Sequence, residues 1–395
     1  MLDTAEVVVV GAGVTGLATA WALTQRGLSD VLVLERGAVG TGGTGKSSGV
    51  VRCHYGVASL AAMAWSGLEV LENAPEILGD GSGFRRTGYL VGVGSENLDA
   101  LENNVAMHQA IGISVELVTA GDARQLWPAA DLDQFAGFAF EPRGGYGDGH
   151  QTAQAFAGAA RRGGARIRQG TPVGALTASG DRVDGVVLAD GERVSAGQVV
   201  VAAGAWSTTL ARGVGIDLPI RSQRAQILMV DPGAAVGEVP VFSDLISLQY
   251  IRPDSNASLL VGDSDHSDPE WTDPDDYDNR ADEGHLAKAI PKFTHRFPGL
   301  PEPVLTSSYA GCYDVTPDYN PVMSASGVDG LWLCAGFSGH GYKISPAVGN
   351  LMADLVCYGE SKVPSVDHRD FRLGRFARHE LLVSAHPYIG AGQMR

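Results

Sequence analysis

Gly11, Gly13 and Gly16 stand at the spacing G-x-G-x-x-G, and Glu35 follows them in the chain. In that pattern the first glycine permits a tight turn, the second lets backbone approach a pyrophosphate, and the third lets a helix lie close on a strand. Glu35 then stands where a carboxylate accepts hydrogen bonds from ribose hydroxyls. Val14 and Thr15 would open the helix whose N–H groups face the phosphates, and Arg36 would border the same nucleotide. A competing motif follows. Gly40, Gly45, Lys46 and Ser47 fit G-x-x-x-x-G-K-S, the loop that cradles triphosphates, and the run ILMVD at 227–231 resembles the acid-ended strand that would hold magnesium. Taken alone, Gly40–Ser47 reads as the P-loop of an NTPase. Such a loop should run straight into a helix, however, and Ser48-Gly49-Val50-Val51 is a poor helix start. The preferred reading is that Thr44, Gly45, Lys46, Ser47 and Ser48 wrap another part of the same dinucleotide.

The third constellation is a glycine-rich run of Gly336, Phe337, Ser338, Gly339, His340, Gly341, Tyr342 and Lys343, leading into the apolar stretch that ends at Val356. Ser345 and Pro346 read as the N-cap and first residue of a helix. A helix N-terminus stabilises negative charge. Where a flavin is present, that charge could be the anionic reduced ring, with Lys343 beside it.

The elements that must position these groups are legible in part. VVVV, GAGVTG, LATAWALTQRG and VLVLER read as strand, turn, helix and strand, so the first 36 residues form a βαβ unit with Gly27 at a left-handed helix end. Residues 151–163 read as a helix, with Arg161 and Arg162 in solvent. DGVVLADGERV and QVVVAAGAWS read as hairpin strands that return to a core strand. QILMV, SLQYIRP and LLVG lie within 221–262 and, together with 86–142, suggest a second, sheet-based unit. The expected architecture is α/β, with mixed α+β character. A Rossmann-like domain assembled from 1–85, 143–220 and 320–395 carries an inserted domain from 86–142 and 221–319 built on a mixed sheet.

Composition narrows the function. Lys plus Arg total 29 against 45 acidic residues, a net charge of −16 that repels nucleic acid and anionic membranes. Cys53, Cys312, Cys334 and Cys357 show no metal-ligand or disulfide spacing. The acidic run at 263–283 lacks the alternating ligands and central glycine of a calcium loop, so a solvated loop and no metal site are expected. Arg369, Arg372, Arg375 and Arg378 are expected to pack as a basic strip against the acidic body. No basic leader or apolar run of membrane-spanning length is visible, and a soluble, cytoplasmic protein is expected.

GAGVTG with Glu35, KSSGVVRCHYG, VVVAAGAWS, CYDVTPDYNPV and GFSGHGYKISPAVG, in that order, resemble the D-amino-acid-oxidase-type flavoproteins, nearest to sarcosine oxidases and dimethylglycine or sarcosine dehydrogenases. The resemblance implies bound FAD. Gly11, Gly13, Gly16 and Glu35 would hold its ADP half, Ser47 and Ser48 would line the flavin, and Val173 would contact the adenine side. Ala203 and Gly204 would pack near the phosphates, and Gly336 to Lys343 would border the ring. It also implies that Arg52 and Lys343 bind a substrate carboxylate, with Tyr250, His340, Arg252 and Tyr313 as weaker site residues. The implied reaction is oxidation of the C–N bond of a secondary or N-methylated amino acid: hydride passes to flavin N5, the imine hydrolyses, and electrons go to O2 or another acceptor.

Three departures bear on this. Gly311 stands where sarcosine oxidases attach the flavin through a cysteine, with Cys312 one residue late, so non-covalent FAD is expected. Gly49 replaces an arginine over the flavin face, and Leu260 falls on the lysine that promotes reaction with oxygen. Oxidase and dehydrogenase therefore both stay open. So does a role as a partner-dependent subunit, homo- or hetero-oligomeric, to which the tail after Phe376 would contribute.

Overall fold

The computed structural model describes residues 3–254 and 257–390. Four-residue apolar runs such as Val31–Leu34 can be buried on both faces only inside a covered parallel sheet, and that is where they lie. The first sheet runs, in spatial order, Val322–Ala325, Leu331–Ala335, Arg193–Val201, Asp3–Val10, Val31–Leu34 and Arg166–Arg168. Its central pairings are parallel, with Val7 opposite Val31 and Val10 opposite Val201. Val7, Val9, Val31 and Val33 face the helix side of the sheet, while Val8, Val10, Leu32 and Leu34 face the strands Val173–Ser179 and Arg182–Leu188. Each fully buried side chain of this kind contributes about 1.5–3 kcal/mol.

The helix Val14–Gln25 starts directly after the first strand and crosses the C-terminal helix Gly341–Tyr358. The crossing is close enough that a Cβ at Gly349 would overlap the Ala18 carbonyl, and Arg26 pairs with Asp354 at 2.6 Å across it. The helix predicted over 151–163 spans Gly149–Arg162, and Asp148 caps it by accepting from the Gln151 amide.

A second sheet runs Val304–Val315, Arg221–Asp231, Leu259–Asp263, Gln249–Pro253, Val241–Asp244, Tyr89–Val93, Gly137–Glu141 and Glu116–Val118. Its pairings are antiparallel except between Val241–Asp244 and Tyr89–Val93. Arg296 and Asp244, both buried, are paired at 2.7 Å beneath this sheet. No helix among the described residues is long and apolar enough to cross a membrane.

The rival triphosphate reading fails here, and so does one expected helix start. The strand holding ILMVD lies antiparallel in the second sheet with Asp231 exposed, and Gly43–Lys46 is a single 3-10 turn followed by the short strand Val50–Val51. With no helix behind Lys46 and no acid-ended strand beside it, Gly40–Ser47 is not a P-loop. The last helix also begins at Gly341, not at Pro346, which lies inside it. The left-handed residues Ser338 and Gly339 turn the chain earlier than the Ser-Pro pair suggested.

Candidate active site

A cavity of about 480 Å³ opens between the two sheets. Gly11, Gly13, Val14 and Thr15 line it where the first strand gives way to its helix, and Glu35 and Arg36 line it at the end of the second strand. Glu35 accepts from the Ala12 amide at 2.8 Å and the Gly37 amide at 2.7 Å, which ties the two turns together. Thr44 Oγ1 accepts from the Val14 amide at 3.0 Å, so the 3-10 turn closes over the same helix start. Lys46, Ser47, Ser48, Val173, Ala203, Gly204, Phe337, Gly339, Gly341 and Tyr342 complete the predicted part of the wall.

Other predicted residues stand behind the wall. A Cβ at Gly16 would overlap the Gly11 carbonyl oxygen, so this glycine serves helix-on-strand packing. Gly45 packs on the Gly40 carbonyl in the same way. Gly336 donates its amide to Asp314 at 2.7 Å, and the Ser338 amide donates to the Asp314 carbonyl at 3.1 Å, which fixes the glycine-rich loop to the second sheet.

The cradle suits an extended dinucleotide. At Gly13 the backbone is extended, and a Cβ would meet only Thr44 Oγ1 at 3.3 Å, so the glycine leaves room on the cavity side of a helix N-terminus. That opening and the Glu35 carboxylate are the two features a pyrophosphate and a ribose require.

Neither Arg52 nor Lys343 lines this cavity: Lys343 directly follows Tyr342, which does, Arg52 comes four positions after Ser48, the last lining residue of its segment, and both are buried. The Arg52 guanidinium is 4.3 Å from the centre of the Tyr55 ring, and Lys343 Nζ is 5.8 Å from the same centre. Arg52 donates to the His54 carbonyl oxygen, and among the described residues neither side chain has a carboxylate partner within 4.0 Å. Burial, then repulsion from Arg52, pulls the Lys343 ammonium well below its ordinary range. His340 meets Tyr55 edge-on at 5.1 Å, and burial followed by the two cations holds its imidazole neutral.

Tyr250 is bonded to Ser48 and Tyr313 behind the wall, and burial pushes its phenol well above its usual value. Tyr313 itself lines the cavity. Arg252 is committed to the Ser48 carbonyl and to Asp254, each at 2.6 Å. Cys312 reaches the wall, but its thiol is engaged by Ser222 and Tyr277 and raised by burial. Gly49, with φ +69°, could not carry an arginine as the backbone stands, because a Cβ there would overlap the Gly147 carbonyl.

The acidic run is not simply solvated. Asp275 accepts from Arg36 at 2.7 Å and from the Trp206 indole at 2.9 Å, while Arg36 stacks 3.8 Å over the Trp206 ring, and all three line the cavity. Trp206 stood in a recognised block and was a readable signal. Asp275 was one carboxylate among ten, and nothing local marked its partner. The arginine strip divides as well: Arg375 is buried on Asp318 at 2.7 Å, whereas Arg372 and Arg378 share the exposed Glu380. The tail after Phe376 folds back onto the protein as far as residue 390, and residues 391–395 lie outside the described residues.

Residues 6–355 match the family of FAD dependent oxidoreductases that includes the D-amino-acid-oxidase type, and the chain belongs to it. It is a flavoprotein oxidoreductase with FAD as cofactor. Among its relatives, a 4-methylaminobutanoate oxidase (formaldehyde-forming) of Paenarthrobacter nicotinovorans is 29% identical over 94% of this chain, which spans only 46% of that protein. A sarcosine oxidase subunit beta of Rhodobacter capsulatus is 25% identical over 95% of this chain and 90% of its own length. Among solved structures, L-proline dehydrogenase from P. horikoshii superposes with a TM-score of 0.88 at 25% identity, covering 96% of this chain and all of that one.

Proposed function

We propose that the protein oxidises the C–N bond of a secondary or N-methylated amino acid. The observation that carries the reading is the pair of buried basic residues, Arg52 and Lys343, flanking one tyrosine ring, with Lys343 directly after the cavity-lining Tyr342 and, among the described residues, no carboxylate within 4.0 Å of either. A substrate carboxylate completes them with charge-assisted hydrogen bonds and so fixes where the amine stands. Non-covalently bound FAD supplies the two-electron acceptor, held by the Gly11–Thr15 turn, Glu35 and the Gly336–Tyr342 loop. The amine enters the reaction neutral, loses hydride from the carbon beside nitrogen to become an iminium cation, and water adds to that cation to give a carbonyl compound and an amine, releasing one proton to solvent. Neutral His340 adds no third positive charge beside the amine. The names of the relatives, which act on 4-methylaminobutanoate, sarcosine and L-proline, support an N-alkyl or cyclic amino acid.

The test is steady-state kinetics of Arg52→Ala and Lys343→Ala on N-methyl amino acids. Loss of charge-assisted bonds worth about 1.5–3 kcal/mol each raises KM by about 10- to 150-fold. Unchanged apparent affinity in both variants would sink the clamp.

A further inference from the structure

Behind Arg52 lies a buried carboxylate that the reaction above does not use. Glu141 ends the strand Gly137–Glu141 opposite Tyr89 and is 3% exposed. Its Oε2 accepts from the Cys53 amide at 2.8 Å, the peptide that follows Arg52. Its Oε1 has no hydrogen-bond partner, and neither has His54 Nδ1, which lies 4.0 Å away. The other ring nitrogen of His54 is 2.7 Å from the Tyr388 hydroxyl, delivered by the C-terminal segment.

We propose that Glu141 is the exchangeable counter-charge of the Arg52 clamp: when a substrate carboxylate occupies the guanidinium, Glu141 takes up one proton from solvent and holds it at Oε1, facing His54 Nδ1. The proposal rests on the reading of Arg52 as the carboxylate site. In the free enzyme the Glu141 carboxylate offsets the field of Arg52. A ligand carboxylate at the guanidinium brings a second anion into the buried region where Glu141 already stands, one peptide away on the Cys53 amide, and like charges so placed raise the proton affinity of one of them. The ligand stays ionised because it also meets Lys343, so Glu141 is the group that protonates.

The surroundings fit that assignment. Facing Glu141 are Arg52, Cys53 and His54 from one segment, Tyr89 from the neighbouring strand, His108 from the helix Leu98–Ile111 and Tyr388 from the C-terminal segment, with Arg143 and Lys343 beyond Cys53. Burial, partly offset by the Cys53 amide and Arg52, pushes the Glu141 carboxyl up to about 7. Burial keeps both imidazoles neutral, with His108 pulled down to about 4, so neither supplies a substitute positive charge. His54 Nδ1 and Glu141 Oε1, both without a hydrogen-bond partner, stand 4.0 Å apart, so a proton on Oε1 meets a lone pair in the tautomer whose Nε2–H donates to Tyr388. His54, His108 and Glu141 are also close enough together to suggest a divalent cation, but the guanidinium acting on the same carboxylate opposes a second positive charge there.

The experiment titrates the holoenzyme with acetate, a carboxylate that carries no amine, and follows the flavin absorption spectrum from pH 5.5 to 9. In the wild type, binding is flat in the acid range and weakens above about pH 7 by up to tenfold per unit, because the proton must be taken from an ever scarcer supply. In Glu141→Gln, which resembles the protonated side chain, that step disappears and binding stays tight. In Lys343→Met, binding is weaker throughout but keeps the step, which separates it from titration of the lysine. In weakly buffered solution at pH 8, acetate binding takes up close to one proton per wild-type site, a measurement that needs no variant. A pH-independent wild type, a step surviving in Glu141→Gln, or no proton uptake overturns the coupling while leaving the clamp intact. Failure of acetate to perturb the flavin at any pH overturns the clamp, and the coupling with it.

Discussion

Gly13 and Gly16 are three residues apart in one motif, yet the structure assigns them different work, and alanine at each position separates the two. At Gly13 φ is −71°, open to any residue, and an added Cβ meets only Thr44 Oγ1 at 3.3 Å, so alanine asks the free protein for no more than a small shift of the Thr44 side chain. The methyl group instead projects where the cofactor must approach the helix N-terminus. Displacing one phosphate from a backbone N–H forfeits a charge-assisted hydrogen bond of about 1.5–3 kcal/mol, which is about 10- to 150-fold in Kd. At Gly16 the Cβ would overlap the Gly11 carbonyl in the apoprotein itself and press on Ala202 Cβ at 3.2 Å. Helix and strand must separate, at about 1–3 kcal/mol for an overpacked contact. Gly13→Ala should therefore lose little apoprotein Tm and much FAD affinity, whereas Gly16→Ala should lose both. FAD titration by fluorescence quenching, with thermal melts of the apoproteins, reads the two quantities independently. A Gly13→Ala protein that binds FAD as tightly as wild type would refute the placement of the pyrophosphate at this turn.

Asp275→Ala removes the shared acceptor of Arg36 and Trp206 at the edge of the cavity. Because Arg36 and Asp275 are half exposed, stability should change by about 1 kcal/mol or less, while FAD release on dilution should quicken several-fold; an unchanged release rate removes Asp275 from cofactor retention. Arg296→Met leaves the buried Asp244 without its cation, with only the Ile246 and Ser247 amides and the Ser247 hydroxyl still donating to it, and chemical denaturation should show a loss of about 3 kcal/mol, in contrast to the near-neutral effect expected for Arg378→Met at the exposed Glu380.

How much of this could be read from sequence depended on how far apart the cooperating residues lie. The first βαβ unit was legible because its apolar period, its turn glycines and Glu35 fall within one short stretch whose parts contact each other directly. Arg52 and Lys343 were legible only through resemblance, since nothing in either local pattern indicates that they share the Tyr55 ring. The start of the last helix was misplaced because Ser345-Pro346 is a strong local signal, whereas the left-handed turn at Ser338 and Gly339 is held by Asp314, a residue of the other sheet. Gly40–Ser47 matched a triphosphate loop because both kinds of loop need small residues and backbone amides near phosphate; only the element that follows distinguishes them. Glu141, Asp275 and Tyr388 gave no signal, each being an ordinary residue type joined to its partner across at least 69 positions in the chain.

On the proposed reading, Arg52 and Lys343 also make the site select against a plain amine. Burying an arginine and a lysine with no fixed counter-ion is unfavourable, and the protein offsets it only in part, with the tyrosine faces beneath Arg52 and the carboxylate of Glu141 behind it. A substrate bearing a carboxylate relieves the repulsion between Arg52 and Lys343 on arrival. An alkylamine of the same shape brings no anion and, entering as an ammonium ion, adds a third positive charge. Lys343 can answer by shedding its proton, since its own affinity for it is already lowered by burial and by Arg52. Arg52 cannot, because a guanidinium stays charged in proteins. Under the proposed clamp the arginine is therefore the residue that would enforce a carboxylate requirement at every pH, and the lysine the one that would adjust to it.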